Sequence, residues 1–347
     1  MGEVFAGRYE LVDPLGEGGA GVVWRVWDQR EDCYLAAKVL RQVDAASLLR
    51  FIREQAVRIE HPHVLAPLGW AGEDDRVLFT MPIMRGGSVA TLVGDFGPLP
   101  PRLTAMLLDQ LLVALDRIHG QGVIHRDVKP ANLLLDATGR ELPHLRLSDF
   151  GVAAAIDEPR LTHGPVTLGT QGYLAPECHQ PGWEPDPRAD LYAAGMSALE
   201  MVTGQRPAVT RPLEALEGAD VPEDLAQVIR WLGEFDPDRR TATAALAREQ
   251  LAATGLLAGA AAEVLGEIEV FDQVPELPEG WMPDGPSHAL PGATARHAHP
   301  AAQASTSHET TRAQPSPVKD RRGLGVALLL LLAGAVALLL AAYLTWG

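Results

Sequence analysis

Between residues 125 and 151 the chain runs His125-Arg126-Asp127-Val128-Lys129-Pro130-Ala131-Asn132, then Leu133-Leu134-Leu135, and then Asp149-Phe150-Gly151, with Asp149 seventeen residues beyond Asn132. Two carboxylates, an amide and a lysine thus fall on short loops between apolar strands. Asn132 and Asp149 offer the hard oxygen donors that Mg2+ prefers. Lys129 can neutralise a phosphate in transit, and Asp127 can orient an attacking hydroxyl and accept its proton. Turn-forming Asp and Asn that merely cap loops would explain each residue singly, but not the set.

Upstream, Gly16, Gly18 and Gly21 form G-x-G-x-x-G. Alone the pattern is weak, because it occurs in dinucleotide folds and elsewhere. A dinucleotide site needs the last glycine to open a helix. Here Val22-Val23-Trp24-Arg25-Val26-Trp27 follows, a β-branched and aromatic run that predicts a strand, so the glycines turn a hairpin. A glycine hairpin brings backbone N–H groups close to phosphate oxygens, since no Cβ intervenes. A second strand, residues 34–40, carries Lys38 among Ala36, Ala37, Val39 and Leu40. A lysine there needs an anionic partner, unless the strand is an edge with Lys38 in solvent. A helix over about residues 45–60 offers Glu54 as that partner. Residues 77–81 read as a strand, and 103–119 as an amphipathic helix stopped by Gly120.

These stretches together resemble the bacterial eukaryotic-like Ser/Thr protein kinases, over about residues 9–255. The resemblance rests on the glycine loop GEGGAGVV from Gly16 to Val23, the Ala36-Ala37-Lys38 strand and the HRDVKPAN loop. It rests further on Asp149-Phe150-Gly151, on Gly169-Thr170 ahead of Tyr173-Leu174-Ala175-Pro176-Glu177, and on Asp190 and Arg240. It implies an α+β, bilobal fold within residues 1–255, with a mainly β lobe at about 9–84 and a mainly α lobe at about 85–255. ATP would sit in the cleft with Mg2+, Mn2+ being the alternative ion. By position, the loop Leu15, Gly16, Glu17, Gly18, Gly19, Ala20 and Gly21 would cover the phosphates. Lys38, held by Glu54, would bind the α- and β-phosphates. Val23, Ala36 and Leu134 would sandwich the adenine, Met81 would be the gatekeeper, and Pro82 and Met84 the hinge. Asp127 is the implied base, Lys129 its partner in the Ser/Thr form of the loop, and Asn132 and Asp149 the metal ligands. Thr170 would hydrogen-bond near Asp127 and Lys129, and Glu177 would pair with Arg240. Arg126 would receive a phosphate on the activation segment, at Thr162 or Thr167. The alternative reading is a pseudokinase scaffold or nucleotide-binding module, and a small-molecule phosphotransferase is a third.

The remaining sequence concerns location. Residues 324–346 are 23 consecutive residues without a charge, enough to span a bilayer as a helix, so 323–347 reads as one transmembrane helix. Lys319, Arg321 and Arg322 precede it, which places everything upstream in the cytoplasm and the C-terminus outside a cell membrane crossed once. Residues 256–322 read as a mostly disordered juxtamembrane linker: 273–322 are rich in Pro, Ala, His, Ser and Thr and lack periodicity. The more apolar stretch 263–272 leaves docking onto the folded domain open. Partners are therefore protein substrates, ATP and the membrane, with homodimerisation through the Ala333-Gly334-Ala335 region as an option. With 29 basic against 45 acidic residues, net −16, no basic face is available for nucleic acid. Two distant cysteines, Cys33 and Cys178, exclude a disulfide-stapled scaffold.

Overall fold

The computed structural model describes residues 3–18, 21–41, 59–73, 76–149, 171–180 and 182–287. Strand-forming sequence dominates its first part. Strands β1 (Val4–Phe5), β2 (Tyr9–Gly18), β3 (Gly21–Asp28), β4 (Cys33–Arg41), β5 (Gly69–Glu73) and β6 (Arg76–Met81) form one antiparallel sheet in the order β1-β2-β3-β4-β6-β5. The expected glycine hairpin is present, with Gly18 opposite Gly21 and Gly21 at φ +121°, a value L side chains rarely adopt. Two register shifts, between Leu11 and Asp13 and between Pro14 and Gly16, bend β2 as it approaches this turn.

Period-two alternation divides the sheet's faces. Phe5, Tyr9, Leu11, Val26, Ala37 and Leu78 pack as a small core on one face. On the other, Val23 lies opposite Lys38, Lys38 opposite Phe79 and Ala36 opposite Met81. Residues directly opposite on paired strands share a face, so register alone gathers Val23, Ala36, Lys38 and Met81 over the cleft.

The larger lobe is helical. Helix α1 (Val89–Phe96) starts with a capping box in which the Ser88 side chain accepts from the Thr91 N–H and the Thr91 hydroxyl accepts from the Ser88 N–H. Helix α2 (Pro101–His119) opens on a proline and buries Leu103, Leu107, Leu111, Ala114, Leu115 and Ile118 along one face, matching the expected pattern. Helix α3 (Arg188–Thr203) is buried from Ala189 to Val202 on all sides, which makes it the central element of the lobe. Helix α4 (Glu223–Leu232) packs against it, and α5 (Ala244–Ala253) packs against α2 and α4. A hairpin of β7 (Leu133–Leu135) and β8 (Leu145–Leu147) closes the lobe beneath the sheet.

Ordered packing does not stop near Gly255: the stretch 263–272, whose docking the sequence left open within the expected linker 256–322, joins the fold, and residues 273–287 are ordered where disorder was expected. Helix α6 (Ala261–Leu265) buries Val264 and Leu265, and Ile268 and Val270 join the same core. Val270 exchanges backbone hydrogen bonds with Gly139, at 2.8 and 2.9 Å. Further on, β9 (Trp281–Met282) and β10 (Gly285–Pro286) form a small hairpin. Composition misleads here because the segment is held by main-chain carbonyls and isolated apolar anchors, neither of which produces periodicity. Among the described residues no helix is long and apolar enough to cross a membrane; the expected span at 324–346 lies outside them.

Candidate active site

Between the lobes lies a cleft of about 680 Å³. Its roof carries Leu15, Gly16, Gly21, Val23, Ala36 and Lys38; its back carries Met81, Pro82 and Met84; its floor carries Asp127, Lys129, Asn132, Leu134 and Asp149. These fourteen residues, all singled out from the sequence, therefore share one cavity. Glu17 and Gly18 continue the β2 strand towards the turn. Gly19, Ala20, Glu54 and Thr170 lie outside the described residues, as do Thr162 and Thr167.

Lys38 is the roof's charged group and is only 6% exposed, which excludes the solvent-facing edge strand. Its ammonium donates to Asp149 Oδ1 at 2.9 Å, across 111 residues of sequence. Among the described residues this is its ion-pair partner; the expected partner Glu54 is not among them. Asp149 stands at φ +61°, in the left-handed region that Asp tolerates better than most residues.

On the floor, Lys129 Nζ donates to both Asp127 oxygens, at 2.9 and 2.8 Å. Asn132 Nδ2 donates to the Asp127 carbonyl at 2.7 Å and to Asp127 Oδ2 at 2.9 Å. The carboxylate is thus fixed in orientation by a cation and an amide. The 3-10 turn Pro130–Asn132, opened by proline, sets the five-residue spacing that lets Asn132 reach back.

The loop is held from below by Asp190 and His125, which the sequence named without giving them this bracing role. Asp190, 1% exposed at the start of α3, accepts from the backbone N–H groups of His125 and Arg126, each at 2.8 Å, and meets His119 Nε2 at 2.8 Å. Three groups, one from the end of α2 and two from the loop, therefore converge on one buried carboxylate. His125 is fully buried; its Nδ1 accepts from the Asp127 N–H at 3.3 Å, so Nε2 carries the proton and donates to the Ser148 carbonyl at 2.9 Å. Burial pushes the His125 pKa below the usual imidazole value, which agrees with a neutral ring serving as a spacer. Ser148 also donates to the Asn132 carbonyl, from N at 2.9 Å and from Oγ at 3.0 Å. The floor and the strand delivering Asp149 are consequently one network.

At the back of the cleft, no backbone hydrogen bond among the described residues uses the Pro82 carbonyl or the Met84 N–H. The following turn is tied down: Gly86 N–H donates to the Leu135 carbonyl at 2.8 Å and Leu135 N–H to the Gly87 carbonyl at 2.9 Å. An acceptor and a donor are left available two residues apart, the edge that a purine base requires.

Among the described residues no group of three or more His, Cys, Asp and Glu is arranged as a metal cage. The donor set suits Mg2+ nonetheless. That ion commonly takes one or two protein oxygens and completes its shell with substrate phosphates and water, and Asn132 and Asp149 are oxygen donors on one cleft wall.

A sequence comparison bears on this geometry. The protein kinase domain family matches residues 9–251, which include every floor and roof residue just described. The chain belongs to this family. Several curated bacterial serine/threonine-protein kinases match it as well. It is 34% identical over 323 residues to serine/threonine-protein kinase PkaA of Streptomyces coelicolor, covering 82% of this chain and 59% of that protein. It is 36% identical over 326 residues to the DNA damage-responsive serine/threonine-protein kinase RqkA of Deinococcus radiodurans, covering 84% of this chain and 47% of the relative. PrkC of Bacillus subtilis matches at 29% over 264 residues, 70% of this chain and 40% of PrkC. The chain thus spans roughly half the length of these relatives. Within the kinase domain, the sequence reading anticipated the pair of Glu177 and Arg240. Their side chains meet bidentately at 2.6 and 3.0 Å, 8% and 0% exposed.

Several cleft residues were given no site role from the sequence. Gly87, Ser88 and Thr91 follow the hinge, Tyr173 and Glu200 hydrogen-bond to each other, and Gln273 comes from beyond the family match. Burial and the neighbouring Glu200 raise the Tyr173 pKa well above the usual phenol value, so its hydroxyl donates.

Proposed function

We propose that this chain is a Ser/Thr protein kinase that transfers the γ-phosphoryl group of Mg-bound ATP to Ser and Thr hydroxyls of proteins. The observation that carries the reading is a single cleft containing both the Lys38–Asp149 pair and the Asp127–Lys129–Asn132 network. Its relatives' names point the same way. In this reading Gly16, Gly18 and Gly21 cover the phosphates and Lys38 neutralises them. Val23, Ala36 and Leu134 enclose the base, which pairs with the Pro82 carbonyl and the Met84 N–H. Asn132 and Asp149 would hold Mg2+. The ion, when bound with the nucleotide, supplies charge neutralisation at the transferring group. Asp127 aims the incoming hydroxyl and takes its proton. Lys129, already paired with Asp127, lies where charge develops during transfer and offsets it.

Two further features belong to the same reading. Arg126, adjacent to the base, receives a phosphate placed on Thr167 or Thr162 by autophosphorylation, which orders the activation segment. The apolar stretch 324–346, preceded by Lys319, Arg321 and Arg322, tethers the catalytic domain to the cytoplasmic face of a membrane. The acidic balance of the chain would keep the domain from lying flat on an anionic leaflet.

Incubation of the full chain with γ-labelled ATP and a generic basic protein tests this. Label is expected on Ser or Thr of the added protein and on the chain itself. A Thr162→Ala/Thr167→Ala variant is expected to lose self-labelling on that segment and at least tenfold of its transfer rate. Nucleotide binding without any transfer would contradict the reading in favour of a nucleotide-binding scaffold. Unchanged activity in the double variant would remove the autophosphorylation step.

A further inference from the structure

The segment that follows the helical lobe runs across the hinge and is fastened to both lobes. On the lower side, Val270 is paired with Gly139, Asp272 accepts from Arg85 Nε at 2.8 Å, and the Gln273 N–H donates to the Arg85 carbonyl at 2.7 Å. On the upper side, Arg25 of β3 donates to the carbonyls of Pro275 and Glu276, at 3.0 and 3.2 Å. Arg25 is itself held by a bidentate pair with Asp13 of β2, at 2.7 and 2.6 Å, and its side chain is 5% exposed. Farther along, Tyr34 of β4 donates to the Met282 carbonyl at 2.6 Å, and Gly285 packs so tightly on Trp27 that a Cβ would fall 2.8 Å from the indole. A disordered tail would not make these contacts at so many separated points.

The fastening delivers one side chain into the cleft. Gln273 lines the cavity, and its amide rests against Gly87. A Cβ on Gly87 would collide with the Gln273 amide, and Gly87 is at φ +73°, so the glycine makes the approach feasible. Gly87 follows the hinge by three residues. This wall therefore adjoins the base-binding edge at Pro82 and Met84 along the chain, and it shares its cavity with the phosphate-binding groups Gly16, Gly21 and Lys38 of the roof. The group that joins a purine to a triphosphate is a ribose with two hydroxyls, each both donor and acceptor. The neighbouring Ser88 and Thr91 hydroxyls are engaged in the capping box of α1. Among the described residues the Gln273 amide makes no such bond, and an amide offers both a donor and an acceptor.

We propose that the C-terminal strap, residues 270–287, completes the nucleotide site by presenting Gln273 to the ribose hydroxyls, so that part of the enzyme's nucleotide recognition comes from outside the catalytic fold. This rests on the reading of the cleft as an ATP site. A hydrogen bond lost to a neutral amide corresponds to about a three- to tenfold change in an equilibrium constant. In the full chain, Gln273→Ala is accordingly expected to raise both the Kd and the KM for ATP about three- to tenfold, leaving kcat within about twofold and the melting temperature unchanged. The same variant is expected to erase the wild type's preference for ATP over 2′-deoxy-ATP or 3′-deoxy-ATP. An unchanged Kd and an unchanged preference would overturn the proposal while leaving the ATP site intact. A loss of kcat or of melting temperature with the ribose preference retained would also overturn it, since the strap would then be a brace only. Wild-type protein that binds no ATP at all would instead defeat the underlying reading of the cleft.

Discussion

Asp127→Asn is expected to lower kcat for phosphoryl transfer by about 10²–10⁴-fold while leaving ATP binding within a few-fold of wild type. The substitution keeps the size and planarity of the side chain. Its remaining oxygen can still accept from Lys129 or Asn132, so the floor of the cleft retains its shape. What disappears is the charge that holds Lys129 in place and the basicity that accepts a hydroxyl proton. The effect therefore belongs in kcat, since neither the roof nor the hinge is touched. Steady-state kinetics with a phosphorylatable peptide, alongside calorimetric titration with ATP, separates the two quantities. A variant that keeps its kcat would show that Asp127 has a positioning role that an amide fills equally well. A variant that loses nucleotide binding as well would show that the Asp127–Asn132 contact organises the whole floor.

The second large effect concerns stability. Arg240→Ala is expected to cost about 3–5 kcal/mol, because it leaves the Glu177 carboxylate buried without its guanidinium. The site is unusually complete. Besides the fork to Glu177, Arg240 donates to the carbonyls of Arg188 and Glu234, at 2.9 and 2.8 Å, and its guanidinium lies 5.1 Å from the centre of the Tyr192 ring. Removing it therefore also orphans carbonyls at the start of α3 and in the loop before the last helices. Arg240→Lys keeps the charge but loses the fork and the flat face over Tyr192, so it is expected to fall between wild type and alanine. Chemical denaturation of the three proteins measures this order. An alanine variant within about 1 kcal/mol of wild type would mean that water enters and solvates Glu177, and that the pair is replaceable architecture.

These expectations were open to sequence reasoning to different degrees, for physical reasons. The glycine hairpin was legible because a β-branched run after Gly21 rules out a helix there. The α2 face was legible because its leucines recur at helical spacing. Asp127, Lys129 and Asn132 were legible because they sit within six residues of one another and act locally. Asp149 depends on a long-range approach to Lys38, yet its chemistry is so constrained that the residue type identifies it. The role of Asp190 was hidden, because a carboxylate that bonds backbone N–H groups 64 and 65 residues away leaves no pattern in either segment. The strap was hidden more thoroughly. Its fastenings are main-chain carbonyls at Pro275, Glu276 and Met282, which any residue supplies, and its proline-rich composition matches that of a spacer.

The central claim is that Asn132, Asp149 and Lys38 together grip a metal-bound nucleotide in the cleft between the lobes. Calorimetric titration of the full chain with ATP, in Mg2+ and again in EDTA, tests it most directly when repeated on Asp149→Asn. The account predicts binding that weakens at least tenfold without the metal in the wild type, and a variant whose binding is weak in both conditions. Equal affinity for ATP with and without Mg2+, unchanged by Asp149→Asn, would contradict it.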